Sequence, residues 1–162
     1  MPEGLGRQMS YAGTFPIKMD RKGRVSVPAE FREVIKPMAF QGLRATPSLN
    51  HAAIDCLDHD TFEKQKQDIE RQTPAFSVER ETMMAALHAD SRRLGFDPEG
   101  RILLPDDFIA FAGLGDRVVF IGVGELFQIW EPEAGRAYVA DMRRKWQELR
   151  ARLGARPREG GT

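Results

Sequence analysis

Two arginines in this sequence stand in the same local setting. Arg24 and Arg101 each follow a glycine, Gly23 or Gly100, and each lies four residues after an aspartate, Asp20 or Asp97. Glycine at that place suits a tight connection with positive φ, and the aspartate can accept backbone hydrogen bonds within the turn. Such a turn aims its arginine. The Asp20 carboxylate is also placed to hold the Arg24 guanidinium in one direction, which limits the entropy lost when that side chain meets a partner. Arginine can clamp a phosphate or bond O6 and N7 of guanine, lysine supplies point charge to a nucleic-acid backbone, and a β-ribbon carrying both can enter the major groove. Lys18, Arg21 and Lys22 surround the first turn, with Arg7 upstream and Asp20 the nearby opposing acid. The candidate DNA contacts are therefore Arg24, Lys22, Arg21, Lys18 and Arg101, with Asp20, Gly23, Asp97 and Gly100 shaping the turns. Charge runs most often face solvent, so the repetition weighs more than the charge.

Other chemistries lack their residues. His51, His59 and His88 are scattered, none at a metal-pair spacing such as His-Glu-x-x-His, and no serine occupies a Gly-x-Ser-x-Gly elbow. Gly122-Val123-Gly124 lies between strand-like runs without the third glycine and helix of a dinucleotide site. Cys56 is the sole cysteine, which excludes an internal disulfide framework and a cysteine-based zinc cage. An aspartate beside a Gly-Arg turn is far more often a local hydrogen-bond acceptor than a catalytic carboxylate. The expectation is a protein without catalytic residues, bound metal, cofactor or small-molecule substrate.

The turns belong to a longer internal repeat. Asp20-Arg21-Lys22-Gly23-Arg24-Val25-Ser26-Val27-Pro28-Ala29-Glu30-Phe31 aligns without a gap on Asp97-Pro98-Glu99-Gly100-Arg101-Ile102-Leu103-Leu104-Pro105-Asp106-Asp107-Phe108. After each copy a proline opens a short helix: Phe31, Val34 and Ile35 form one apolar stripe, and Phe108 and Phe111 the other, with Gly113 as a stop. Each half then continues through paired strands, near Leu43 to Thr46 and Ala53 to Leu57, and over Arg117 to Gly122 and Leu126 to Trp130. Helices are expected over Asp58 to Arg71, Ser77 to Ser91 and Pro132 to Leu153. In the last, Tyr138, Met142, Trp146, Leu149 and Leu153 recur every three or four residues, a stripe that suits either the sheet of its own half or a neighbouring subunit. The basic C-terminal segment, Arg143, Arg144, Lys145, Arg150, Arg152, Arg156 and Arg158, reads first as a solvated helix face and loose tail, with an acidic partner or DNA as the other reading. The organisation is α+β: a first repeat over 11–72 with its closing helix, a connecting helix over 73–93, a second repeat over 94–153 ending in the long helix, and flexible ends at 1–10 and 154–162.

Lysine plus arginine and aspartate plus glutamate both number 24 in 162 residues, so any nucleic-acid function must rest on local charge rather than on bulk charge. The longest apolar run, Val118 to Val123, is too short to cross a bilayer, and Met1 to Ser10 has no apolar segment ahead of a small-residue cleavage site. A cytoplasmic protein is expected, without a membrane partner.

The doubled signature resembles that of the MraZ family. The first copy, with Phe31-Arg32 after it, is similar to the family's first Asp-x-x-x-Arg element, and Asp97 to Pro105 is similar to the second. Tyr11-Ala12-Gly13, Val78-Glu79-Arg80 and Ile129-Trp130 are similar as well, so the likeness runs from roughly Tyr11 to Trp146. The resemblance implies two AbrB-like swapped-hairpin units interlocked into a pseudo-twofold, β-barrel-like body flanked by helices. It also implies ring-shaped homo-oligomers, associated with the nucleoid, that bind short direct repeats in the promoter of the division and cell-wall gene cluster, the protein's own gene included. By position, Arg24 matches the family's main DNA-contacting arginine, and Lys22 shares its loop. The other reading is an AbrB-like interaction protein, an antitoxin or scaffold, without promoter specificity. Pro98 and Glu99 replace Arg21 and Lys22 in the second copy, which leaves Arg101 with two roles open, contacting DNA or pairing with Asp97. Pro16 suits a sheet edge better than a sheet centre.

Overall fold

The computed structural model describes residues 10–155; Arg7, Arg156, Arg158 and most of the two ends expected to be flexible lie outside them. In chain order the elements are β1 (Thr14–Lys18), β2 (Arg24–Ser26), α1 (Ala29–Ile35), β3 (Gly42–Pro47), β4 (Ile54–Leu57), α2 (His59–Gln72), α3 (Val78–His88), β5 (Arg92–Gly95), β6 (Arg101–Leu103), α4 (Asp106–Ala112), β7 (Arg117–Gly122), β8 (Phe127–Trp130) and α5 (Pro132–Gly154). The expected α+β class holds, and every expected helix and strand pair is present within a few residues. Among the described residues no helix is long and apolar enough to cross a membrane.

Strand pairing crosses between the halves. Six strands form one antiparallel sheet in the order β1-β7-β8-β4-β3-β5, and β2 pairs with β6 in a separate ribbon. The hairpins β3-β4 and β7-β8 stay within their halves. The strand that precedes each repeated turn leaves its own half: β1 pairs with β7, and β5 pairs with β3. The sheet is open, with β1 and β5 at its edges, which corrects the expectation of a barrel-like closure. Closure would need β1 and β5 to pair with each other, whereas β1 pairs only with β7 and β5 only with β3. Pro16 lies on the β1 edge opposite Val119, where its missing N–H interrupts no second ladder.

Both halves feed one core. Phe31 of α1 and Phe127 of β8 lie with ring centroids 4.6 Å apart, and Tyr11 packs on both, at 5.5 and 5.1 Å. The Tyr11 hydroxyl donates to Asp58 Oδ2 at 2.7 Å, while Asp58 Oδ1 accepts the Thr61 N–H at 2.6 Å and so caps α2. Burial and the adjacent Asp58 carboxylate push the Tyr11 phenol up, so it stays a donor. In α1 the stripe buries as read, with Phe31, Val34 and Ile35 inside. In α4 the pattern shifts: Phe108 and Ala112 are buried, an i to i+4 pair, while Phe111 is exposed. Gly113 ends that helix in the left-handed region, at φ 62°.

Two segments depart from the sequence reading. β5 occupies Arg92 to Gly95, where the connecting helix was expected to run to Ser91 and no strand was foreseen. α3 buries none of its residues, and its Val78 and Met83 are exposed. The long helix α5 divides along its length. Its first turns cover β7 and β8, where Tyr138 stacks on Trp130 at 4.6 Å and Gly135 lies against Val119, whereas Met142, Trp146, Leu149 and Leu153 are exposed.

The crossing of the segment before β1 over β7 depends on Gly122. The Gly122 N–H donates to the Gly13 carbonyl at 2.9 Å, and a side chain there would lie 2.5 Å from the Tyr11 carbonyl carbon and 2.6 Å from the Ala12 nitrogen. Backbone at that distance has no rotamer by which to yield. Gly122→Ala is expected to destabilise the protein by about 1–3 kcal/mol through overpacking, read as a lower denaturant midpoint. An unchanged midpoint would show that the strand crossing tolerates expansion.

Candidate nucleic-acid interface

The two turns are built by matching hydrogen bonds. Asp20 Oδ1 accepts the backbone N–H groups of Lys22 and Arg24, each at 2.9 Å, and Asp97 Oδ1 accepts those of Glu99 and Arg101 at the same distance. In each, the second carboxylate oxygen takes the arginine Nε at 2.7 Å. Gly23 and Gly100 have φ of 88° and 78°, the left-handed region in which glycine carries no steric cost. The donated Arg24 N–H, followed by the guanidinium, holds the Asp20 carboxyl below the usual carboxylate range; Arg101 does the same for Asp97. Each aspartate thus stays ionised in its turn.

Each turn is also tied to the opposite half. The Gly23 carbonyl accepts the Leu104 N–H at 2.9 Å, and the Gly100 carbonyl accepts the Val27 N–H at 3.1 Å. Antiparallel pairing sets Arg24 opposite Leu103 and Ser26 opposite Arg101, so the turns lie at opposite ends of the β2-β6 ribbon. Val25 and Ile102 are buried, so Arg24 and Arg101 are diagonal neighbours on the opposite face of the ribbon.

The turns differ in charge and in what their arginines leave free. At the first, Lys18, Arg21 and Lys22 are exposed. Arg24 bonds Asp20 through Nε, with its side chain 35% exposed, and its terminal Nη atoms have no partner among the described residues. At the second, Arg101 Nη2 also lies 3.5 Å from Glu99 Oε2, and Pro98 takes the place of a cation. The hydrogen bond that Arg101 donates to Asp97, with the charges of Asp97, Glu99 and Asp20, raises the Arg101 guanidinium further above its ordinary value. Of the two roles left open for Arg101, pairing with Asp97 is formed in the structure.

One cation of the first turn escaped the sequence reading. Register places exposed Arg117 directly opposite Lys18, and the Met19 N–H donates to the neighbouring Asp116 carbonyl at 2.8 Å, so the start of β7 borders the turn. The signal was an arginine at the head of a strand. Its place follows only from the pairing of β1 with the other half. The basic residues of α5 fit the solvated reading: Arg144 pairs with Asp141 and with Glu148 at 3.1 Å, and Lys145 pairs with Asp141 at 3.0 Å.

Comparison with known proteins gives consistent relatives. Residues 87–154 match the family model described as "MraZ protein, putative antitoxin-like". The chain is 38% identical over 147 residues to a protein of Beijerinckia indica named transcriptional regulator MraZ, covering 91% of this chain and 89% of that one. Proteins of the same name from Xanthobacter autotrophicus and Rickettsia bellii are 39% and 38% identical, covering 90% and 83% of this chain and 92% and 89% of theirs. With such identity along nearly the whole length of both chains, this protein belongs to the MraZ family.

Proposed function

We propose that this protein is a sequence-specific DNA-binding transcriptional regulator, and that its first turn, with Lys18, Arg21, Lys22 and Arg24, makes the principal contact with double-stranded DNA. One observation carries the reading: two turns share one hydrogen-bond scaffold, yet only the first presents exposed, uncommitted cations around an arginine held by its stem. A preorganised guanidinium loses little freedom on binding, and its two free Nη atoms suit a guanine edge or a phosphate. Arg117 extends the same surface, while Arg101 serves the second turn. The relatives' shared name, transcriptional regulator, supports the role. Family membership supports the promoter of the division and cell-wall gene cluster, with the gene for this protein included, as the target. It equally supports a cytoplasmic, nucleoid-associated location.

The exchange of β1 and β5 between halves supports the interlocked swapped-hairpin reading of the fold. The exposed stripe Met142, Trp146, Leu149 and Leu153 supports homo-oligomerisation through α5, because a helix face of that kind gains stability by burial against another subunit. A ring would set several first turns along one side, matching short direct repeats in the DNA and adding avidity to a weak single contact.

The testing experiment is a binding titration with DNA from upstream of the protein's own gene, against a shuffled sequence. Arg24→Ala is expected to weaken specific binding at least about tenfold, the scale of one lost arginine contact, with the unfolding midpoint nearly unchanged. Normal binding by that variant would remove the turn from the interface. Asp20→Asn keeps an oxygen for the backbone N–H groups and loses the charge that holds Arg24 Nε; a smaller loss of affinity than in Arg24→Ala is expected, and an equal or greater loss would make Asp20 more than a support. Affinity should also fall about a hundredfold between about 50 and about 200 mM salt for roughly four phosphate contacts. A flat salt dependence would oppose the proposed mode.

A further inference from the structure

Away from both turns, at the β5 edge, the outer face of the sheet carries two arginines directly opposite each other. Arg44 of β3 pairs in register with Arg93 of β5. Like charges at such a position repel, since facing side chains on antiparallel strands start only about 5 Å apart. Neither arginine has a carboxylate partner among the described residues: Asp107 pairs with Arg92, which alternates to the other face, and Glu63 lies 3.9 Å from Nε2 of His59. Aromatic rings hold the two guanidinium groups instead, Arg44 lying 4.7 Å from the Phe62 ring centroid and Arg93 4.3 Å from that of Phe40. A stacked guanidinium keeps its N–H edge free.

Around this pair, buried donors lack partners. Arg44 Nε, His59 Nδ1 and Ser91 Oγ are all buried without a hydrogen-bond partner among the described residues. Phe40 links two sides of the group, its ring lying against the Arg93 guanidinium and 6.3 Å from the His59 ring. His59 sits three residues before Phe62 on α2, and Ser91 immediately precedes β5, two residues before Arg93. A buried donor left unsatisfied is costly, more so when charged, so a cluster of them is a polar site suited to an acceptor.

We propose that Arg44, Arg93, His59 and Ser91 form an anion site that takes a phosphate group. A tetrahedral oxyanion offers enough lone pairs to accept from two guanidinium edges, an imidazole N–H and a hydroxyl at once, and it neutralises the facing arginines. The phosphate comes either from the backbone of bound DNA, widening the footprint beyond the first turn, or from a small phosphorylated molecule that acts as an effector.

The test is a titration of the full-length protein with inorganic phosphate at constant ionic strength, followed by thermal unfolding and by 31P line broadening. Wild type is expected to show a saturable rise in Tm. Arg44→Gln with Arg93→Gln together should weaken phosphate at least about tenfold, the scale of one lost charge-assisted bond. Arg93→Gln alone, at an exposed edge position, guards against misfolding of the double variant and should weaken it in the same direction. A response that persists in the double variant and is lost in Arg24→Ala would place the phosphate at the first turn and overturn the proposal. The source of the phosphate follows from DNA titrations in phosphate-free buffer. A uniform loss of affinity across sequences with a shallower salt slope identifies the DNA backbone, and unchanged DNA binding beside lost phosphate binding identifies a small effector. Absence of a phosphate response in wild type, or an equal response in wild type and both variants, overturns the proposal. An altered subunit number in the variants without any phosphate response would assign the arginine pair to a subunit contact and overturn it equally.

Discussion

The structure depends on backbone hydrogen bonds that neither half can complete alone. Strands β1 and β5 find their ladders only on the opposite half, and the β2-β6 ribbon consists of one strand from each. A buried N–H or carbonyl left unpaired is expensive, so the halves must fold as one body rather than as two docked units. The same dependence fixes the candidate interface. The Gly23 carbonyl accepts from Leu104, and the Ile109 side chain lies close against the Gly23 backbone, so the second half sets the position of the first turn. The half with the cation-poor turn is therefore a mechanical support for the cation-rich turn of the other. Its own turn is kept in shape by Arg32, whose side chain lies against Gly100 and whose Nε donates to the Val27 carbonyl at 3.0 Å.

Conserving one scaffold twice while changing its charges separates what a turn needs to fold from what it needs to bind. Aspartate, glycine and arginine recur because the closed hydrogen-bond set requires an acceptor, a positive φ and a stem to hold. Arg21 and Lys22 give way to Pro98 and Glu99 because no backbone bond of the turn uses their side chains. Only the N–H of Lys22 or Glu99 enters it. Once Glu99 takes up the Arg101 fork, the second turn has closed on itself electrostatically.

Much of this was legible in the sequence, and the gaps have physical causes. The gapless repeat displayed the turns, the aspartate clamps and the helix starts, because those rest on local spacing. The glycine stop at Gly113 is local in the same way. Strand exchange was expected only through the family resemblance and not from the residues themselves, because a strand's partner is set by tertiary packing rather than by its own sequence. That single gap hid Arg117 beside Lys18 and hid β5 altogether, since Arg92-Arg93-Leu94-Gly95 lacks the alternation of a half-buried strand and becomes one only on the edge of β3. Phe111 misled for a smaller reason: three-residue spacing from Phe108 fits the stripe, yet in a seven-residue helix Ala112 fills the buried place at i+4.

Net neutrality and local positive field are reconciled by the way the arginines are spent. Arg71 pairs with Asp68, Arg92 with Asp107, Arg101 with Asp97 and Glu99, and Arg144 with Asp141 and Glu148. These pairs are exposed and add little stability, but each cancels charge where it stands. Among the cations left without a carboxylate partner, Lys18, Arg21 and Lys22 gather beside the Arg24 guanidinium at one turn, and the stacked Arg44 and Arg93 face each other at one sheet edge. Within a Debye length of about 8 Å at physiological salt, a partner meets those local fields rather than the molecular average. Equal totals of acid and base are thus compatible with anion recognition, because exposed, unpaired cations decide where an anion can settle.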